Sequence, residues 1–423
     1  MILKHIRSIF SVKDLRKKII ATLLLVLVYK LLTVIPVPGV NTEWLKAVID
    51  QQKGLAFFSA LMGWGLENFS IVLMGLSPYI NATIIVQLVW VIVPKIGDLQ
   101  KEGEAGQKKI SKITRFLTLP LAFLQSYGMI YLLNSLVSGA PIIDVTNSTT
   151  LLTAMLIITA GTMFLVWLGE IISEYGIGSG TSIIIMAGVL AWVPAHIMWY
   201  LSSAQYPLLA GLTLATLVII YVIIKFTEGN RRIPIIYTRT GREEKSYFPI
   251  RVNQAGMVPI IFAISLVTFP AILGQIFANT TSLQLQKVST FLTEHFSMQN
   301  PSWIFIAVYF LLVLGFSFFY VSVTFNTENI AESIQKRGGY IPGIRPWSDT
   351  ADYLSKVSTH LNLFGGWFLA LIAILPYVLS KVMGQTVDFI ISASGLIIIV
   401  SVILDLIRKV DSEMKMFDYG KYK

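Results

Sequence analysis

The chain contains no cysteine. Disulfides, thiolate zinc sites, iron–sulfur clusters and a cysteine nucleophile are thereby excluded. Its four histidines, His5, His196, His295 and His360, are scattered, and neither a His-based metal motif nor a Walker-A pattern occurs. Charge is scarce: 13% of the 423 residues are Asp, Glu, Lys or Arg, against about 25% in soluble domains. That excludes an ordinary cytosolic enzyme. A hydrophobic content of 55% equally excludes a disordered chain, which needs low hydrophobicity. With no catalytic cluster, metal site or cofactor motif, the chain reads as a non-enzyme. Any transport it performs must draw its energy from elsewhere.

What the sequence does have is long apolar runs. The first starts behind Lys17 and Lys18 and covers about 17–35, ending at Pro36 and Pro38. A signal peptide is a poorer reading, because Lys30 interrupts the run, apolar residues resume, and no small-residue cleavage site follows. Further runs lie at about 70–93, 114–135, 151–172, 182–201, 208–226, 256–277, 303–325, 363–383 and 389–407. Each has the length a helix needs to cross hydrocarbon. They are continuously apolar rather than alternating, which argues against a β-barrel. The expectation is an all-α polytopic membrane protein with ten spans.

The formal net charge of +10 is distributed with a strong bias. Segment 1–18 holds six basic residues, the second-to-third connection six, the sixth-to-seventh seven, the eighth-to-ninth four and the tail five, so 28 of the 33 fall on one side. The other side has Lys46, Lys53, Lys287 and Lys381, and Lys30 lies near the outer end of the first span, where it can snorkel. By the positive-inside rule both termini are cytoplasmic. Five spans per half place the second half upside down relative to the first, which permits an inverted repeat. The expected division is a cytoplasmic segment 1–18, halves 19–205 and 206–407, and a cytoplasmic tail 408–423.

Gly54–Leu66 is apolar, but about 13 residues rise only about 20 Å, too little to span. It is either a re-entrant half-helix or a segment lying on the outer leaflet. The spans themselves are nearly free of ionisable groups, unlike those of ion-coupled transporters. Glu170, His196 and Asp405 sit near span ends, where interfacial placement is expected. The interior polar residues Asn81, Thr83, Gln87 and Gln125 are neutral, and inter-helix hydrogen bonding is their default role. Their concentration on two spans also marks a candidate site. Sequons at Asn147 and Asn279 fall in outer loops and matter only in a source that glycosylates.

The cytoplasmic segments 226–252 and 326–361 are long, basic and turn-rich. Topology signalling and attraction to anionic lipid account for some basic residues, at about 1 kcal/mol each near the surface. Hairpins with Arg, Gly and Pro at their tips point further, to docking of a large partner with an acidic or RNA surface.

The segments VIPVPGV (34–40), GLSPYINATIIVQL (75–88), KEGEAGQKKISKITR (101–115), GTMFLVWLGEIISEYGIGSGTSIII (161–185), FPIRVNQAGMVPIIFA (248–263) and RGGYIPGIRPW (337–347) closely resemble the SecY family. That family supplies the channel subunit of the bacterial Sec protein translocon. The resemblance runs in order from about Leu15 to Asp405. It implies a protein-conducting channel in the bacterial cytoplasmic membrane, built from two inverted five-helix halves. Secretory chains would cross it unfolded, and transmembrane segments would leave it laterally. A ring of side chains would form its waist: Leu76, Ile80, Thr181, Ile185, Ile261 and Ile398. A narrow aliphatic ring dewets and stops ions without a charged gate. Thr181 departs from the aliphatic pattern; a bond to its own helix backbone would keep the lumen apolar, and otherwise the seal weakens. Gly54–Leu66 falls at the plug position, with Phe57, Phe58, Leu61, Met62 and Trp64. Asn81, Thr83, Gln87 and Gln125 lie on helices of the implied lateral gate for signal sequences.

The resemblance also implies partners. These are small SecE-like and SecG-like membrane subunits, the SecA ATPase, the ribosome, signal sequences with their nascent polypeptides, and anionic lipids. Arg231, Arg232, Arg239, Arg242 and Arg345 are the implied docking residues. Trp347 stands where a glycine is expected after the Arg-Pro pair, and the tip Thr238–Ser246 is less basic than expected, with Glu243 and Glu244 in it. An inverted-repeat solute transporter and a lipid-modifying enzyme are the competing classes. Co-purification of a small single-span subunit, with binding of SecA or ribosomes, separates the channel from both. If the polar seam gates the exit, Asn81→Leu or Gln87→Leu changes the signal-sequence requirement. Unchanged export of precursors with defective signals would count against it.

Overall fold

The computed structural model describes residues 12–40, 68–93, 103–135, 141–191, 193–202, 206–239, 242–278, 282–296, 301–383, 391 and 393–420. They form thirteen described helices and one small sheet. Helix α1 is Lys13–Leu32, α2 Ser77–Ile92, α3 Glu104–Ser135, α4 Ser148–Tyr175, α5 Gly180–Ala191, α6 Val193–Ser202 and α7 Tyr206–Glu228. Strands β1 (Asn230–Arg239) and β2 (Arg242–Arg251) follow. Then come α8 Val258–Ala278, α9 Leu283–Phe296, α10 Trp303–Thr324, α11 Thr327–Lys336, strand β3 Gly339–Tyr340, α12 Ser348–Met383 and α13 Ala393–Gly420. Among the described residues, four helical stretches are long and apolar enough to cross a membrane, within α4, α7, α10 and α12.

By packing, the chain divides into two units: Met1–Thr213 with Thr268–Ser302 and Ile390–Lys423, and Leu214–Val267 with Trp303–Phe389. In the first unit, α4 is the central element and packs against α1, α2, α3 and α5, while α13 packs on α5. Glycines set these contacts. A Cβ on Gly161 of α4 would collide with the Ile71 carbonyl oxygen, and one on Gly180 with the Gly169 carbonyl oxygen. Small residues allow such approach, and dispersion then holds helices together where lipid gives no hydrophobic drive. The turn after α4 is tied to α1 by Thr22, whose Oγ1 donates to Lys18 O (2.9 Å) and accepts from Ile177 N (3.1 Å).

One expected span needs correction. The run at 70–93 becomes helical only at Ser77. Before it lie tight turns, Leu73 N to Ser70 O and Gly75 N to Val72 O, with Phe69 at φ +45° and Gly75 at φ +53°. Pro78 fits the first helical turn but would clash with an upstream helical carbonyl at Met74. The freed segment pairs with the chain after α1: Val37 N donates to Phe69 O (2.9 Å) and Ile71 N to Ile35 O (3.0 Å). Phe69, Leu73 and Met74 thereby join Ile130, Leu133, Ile142, Ile143 and Ile158 in one core cluster. The run at 182–201 is helical over its described residues, as α5 and α6.

Elsewhere the helices outrun their apolar stretches. α3 starts at Glu104, α12 at Ser348, and α13 continues to Gly420. The extensions keep helix-compatible residues after the apolar run ends, so nothing stops the helix. Lys18 of α1 meets Glu413 of α13 at 2.8 Å. α4 is capped by Asn147, whose Oδ1 accepts from Thr149 N (3.1 Å) and Thr149 Oγ1 (2.6 Å). In the preceding turn, hydrogen bonds from Thr146 hold the Asp144 carboxyl below the usual carboxylate range.

The second unit builds its sheet in the order β2-β1-β3, all antiparallel. The segment 226–252 is a hairpin as expected. The segment 326–361 is not: it folds as α11, strand β3 and the start of α12. Asn326 caps α11 by accepting from Asn329 N (3.0 Å). Ile233, Ile235 and Ile250 of the hairpin pack with Ile334, Ile341, Leu354 and Val357 into a core of their own. Deeper in the same unit, α10 and α12 are joined by reciprocal bonds of Ser317 and Asn362, Oγ to Oδ1 at 3.0 Å and Nδ2 to Ser317 O at 3.3 Å. Gly161→Val should lower Tm by several degrees in detergent, from overpacking that costs about 1–3 kcal/mol. An unchanged melting curve would show that the backbone approach at Ile71 is not a stability determinant.

Candidate functional site

Five of the six waist residues fall on four helices, and Leu76 directly precedes α2; the six belong to two units. Leu76 is buried and supplies the carbonyl for the first α2 bond, Ile80 N to Leu76 O at 3.0 Å. Ile80, one turn on, shares its face and is half-buried. Thr181 and Ile185 are half-buried in the first turns of α5, and Ile398 is buried on α13. Ile261, on α8, is buried within the second unit.

The Thr181 hydroxyl does not bond its own helix backbone. It pairs with the Ser179 hydroxyl at 3.1 Å, and Ser182 Oγ donates to the same Ser179 oxygen at 3.1 Å. The reason is position. Thr181 is the second residue of α5, so its i−4 residue, Ile177, lies before the helix. Its methyl lies on the Gly169 side of α4.

Among the polar residues of α2 and α3, Thr83 departs from the expected inter-helix bonding. Thr83 Oγ1 donates to Tyr79 O at 2.8 Å within its own helix, so its hydroxyl is spent locally. Asn81 and Gln87 are half-buried. Gln125 Oε1 is buried with no hydrogen-bond partner among the described residues. The ionisable residues behave more simply. Glu170 of α4 pairs with Arg115 of α3 at 3.0 Å, both partly exposed, a contact worth at most about 1 kcal/mol. Asp405 pairs with Arg408 on α13 at 3.2 Å. Lys30 occupies the last turn of α1, where a cation opposes the helix dipole. Phe57, Phe58, Leu61, Met62 and Trp64 lie outside the described residues, as does the whole of Gly54–Leu66.

The segments 226–252 and 326–361 carry the most legible arrangement. On the β hairpin, side chains alternate between faces. Ile233, Ile235 and Ile250 point into the core. The register pairs Asn230 with Arg251, Arg232 with Pro249, Pro234 with Tyr247 and Ile236 with Lys245. One face of the hairpin thus collects Arg232, Lys245, Arg251 and Tyr247, all exposed. Arg231 is exposed near the start of β1, and Arg239 and Arg242 face each other across the hairpin end. Lys245, Arg251 and Tyr247 were not among the expected docking residues. Strict alternation in PIRV and SYFP was the signal that could have found them.

Arg345 is exposed in the loop before α12, and its carbonyl accepts from Thr350 Oγ1 at 2.9 Å. Trp347 keeps the backbone that a glycine would take, at φ +79°. It is 65% exposed, and its carbonyl starts α12 by accepting from Ala351 N at 3.0 Å. An aromatic residue in the left-handed region carries about 1–2 kcal/mol of strain.

The family model described as SecY matches residues 70–407. The chain belongs to the SecY family. Protein translocase subunit SecY of Halalkalibacterium halodurans is 38% identical over 428 residues, with 97% of each chain covered. That of Bacillus licheniformis is 36% identical, with 98% of each covered. Among solved structures, one described as a protein-conducting channel has a TM-score of 0.62 at 17% identity, covering 94% of this chain and 92% of that one. Sec61 in the canine ribosome-channel complex has a TM-score of 0.57 at 17% identity, with the same coverage. These structural likenesses show a SecY/Sec61 fold, largely helical with several apolar helices. Within this SecY-family chain, Trp347→Gly relieves the strain and should raise the melting temperature, by up to about 1 kcal/mol once glycine's entropy is offset. A lowered Tm would mean that the indole makes a stabilising contact larger than the strain.

Proposed function

We propose that this chain is the channel-forming subunit of a protein translocase. It would pass unfolded secretory proteins across the bacterial cytoplasmic membrane and release transmembrane segments sideways into it. The observation that carries the reading is the full-length likeness, at 38% identity, to protein translocase subunit SecY. The basic hairpin face supports it: Arg232, Lys245 and Arg251 around Tyr247 make a cationic platform with an aromatic centre. In this reading both termini and the sheet are cytoplasmic, and ten apolar runs span as two inverted halves, 19–205 and 206–407. The relatives include Sec61 bound to a ribosome, and a ribosome or the SecA ATPase is the partner assigned to the platform and to Arg345. SecE-like and SecG-like subunits and anionic lipids complete the assembly.

Leu76, Ile80, Thr181, Ile185, Ile261 and Ile398 form the waist in this proposal. Branched aliphatics offer a sliding chain nothing to hold it, while a constriction lined by them dewets against ions. Thr181, with its hydroxyl turned to Ser179 and its methyl toward Gly169 of α4, is the one member of the waist that is not aliphatic. Residues 54–66 close the outer funnel as a plug, and Asn81, Thr83, Gln87 and Gln125 line the side exit. The chain performs no catalytic step; work comes from the docked partner.

Two measurements test the reading. A photocrosslinker at Ile80 or Ile185 should capture a stalled secretory chain, and one at lipid-facing Leu217 should not. The absence of crosslinks from both waist positions would refute the assignment of the waist. Arg345→Glu should abolish SecA-driven export while the protein still inserts and melts normally; wild-type export by that variant would remove Arg345 from the docking set.

A further inference from the structure

The helix α9 has no counterpart among the apolar runs. Its 14 residues rise about 21 Å, too short to cross a bilayer. Its midpoint is pinned to the last turns of α8. Ser289 Oγ, buried, donates to Gly274 O at 2.6 Å. A Cβ on Gly274 would stand 2.9 Å from Leu292 Cβ and 3.0 Å from Thr293 Cγ2. At 100° per residue, three arcs follow. Ser289 and Thr293 face α8. Gln286, Thr290, Glu294 and Lys287 form a polar arc. Leu285, Val288, Phe291 and Leu292 form an apolar arc between them, on which Leu285, Val288 and Phe291 are exposed, Phe291 at 52%. His295 stacks on Phe291 with ring centroids 4.4 Å apart. Leu283 falls on the polar arc and Phe296 on the α8 side, while Gln284, exposed, and His295 fall within the apolar arc between Phe291 and Val288.

We infer that α9 is an interfacial helix that rests its Leu285–Val288–Phe291 arc on the phospholipid surface. The occupant follows from the attachment. A helix fixed by its middle to the end of a span lies at the depth where headgroups meet acyl chains. A polar arc carrying Lys287 and Glu294, opposite an apolar arc with Phe, Leu and Val, is the pattern of helices lying in that plane. Lys287 borders the apolar arc beside Phe291, which suits an ammonium that snorkels to a lipid phosphate. Phe269, exposed on α8, continues the lipid-facing surface below. The inference rests on the membrane-spanning reading proposed above, and there α9 belongs to the outer leaflet.

The absence of cysteine makes the test direct. Single-cysteine variants Leu285→Cys, Val288→Cys and Phe291→Cys, with Gln286→Cys and Thr290→Cys on the polar arc, take a nitroxide label in the full chain. The labelled protein goes into nanodiscs of phosphatidylcholine and phosphatidylglycerol. Leu217→Cys on α7 serves as the span control. Power saturation then compares collision with oxygen, which concentrates in lipid, and with a water-soluble nickel complex. The expected result is oxygen-dominated relaxation at 285, 288, 291 and 217, and a reversed ratio at 286 and 290. Nickel dominance at all five α9 positions, with oxygen dominance kept at 217, overturns the inference and leaves the membrane reading intact. Exclusion of both reagents at 288 and 291 also overturns it, since a protein surface then covers the arc. Nickel dominance at 217 overturns the membrane reading itself.

Discussion

In lipid, apolar side chains gain nothing by leaving one hydrocarbon surface for another, so helices adhere only where their backbones come close. The architecture depends on that constraint. Gly161 lets α4 press on the Ile71 carbonyl, and Gly180 lets the start of α5 press on Gly169. In the second unit Gly365 of α12 stands where a Cβ would be 2.6 Å from Val252 O, and Gly366 lies against Ser317 of α10. Two of these contacts also carry a hydrogen bond close by: Gly180 N to Ser173 Oγ at 2.8 Å, and the Ser317–Asn362 pair beside Gly366. Of the helices that carry waist candidates, α5, with Thr181 and Ile185, is located by one of these glycines.

How much of this was legible in the sequence depended on which physics wrote it. Hydrocarbon thickness and the bias of Lys and Arg are recorded residue by residue, so the apolar runs and the hairpin at 226–252 stood out. The segment 70–76 did not, because hydropathy cannot tell a buried turn from a helix. Pro78 and Gly75 were the available signals. The helical extensions of α3, α12 and α13 were missed since a span is read from apolarity and a helix ends only at a cap or breaker.

The candidate site was legible unevenly, for the same reason. Arg345 and Arg232 could be found as exposed charges in turn-rich segments. Lys245, Arg251 and Tyr247 required the register that puts them on one face with Arg232. Thr181 was recognised as the exception in an aliphatic set. The destination of its hydroxyl depended on where α5 begins, a boundary that composition does not mark. At Trp347 an aromatic side chain occupies a left-handed turn, and the bonds from Thr350 to the Arg345 carbonyl and from Ala351 N to the Trp347 carbonyl hold that loop.

The long helices have a mechanical consequence. α12 runs for 36 residues with Pro376 inside it, a length of about 54 Å against a hydrocarbon core of about 30 Å. Leu354 and Val357, near its start, pack into the sheet core. One element thus belongs both to the sheet and to an apolar stretch long enough to cross a membrane. A displacement of the sheet loads that stretch directly, and Pro376, which removes a backbone donor, is the point along it where bending costs least.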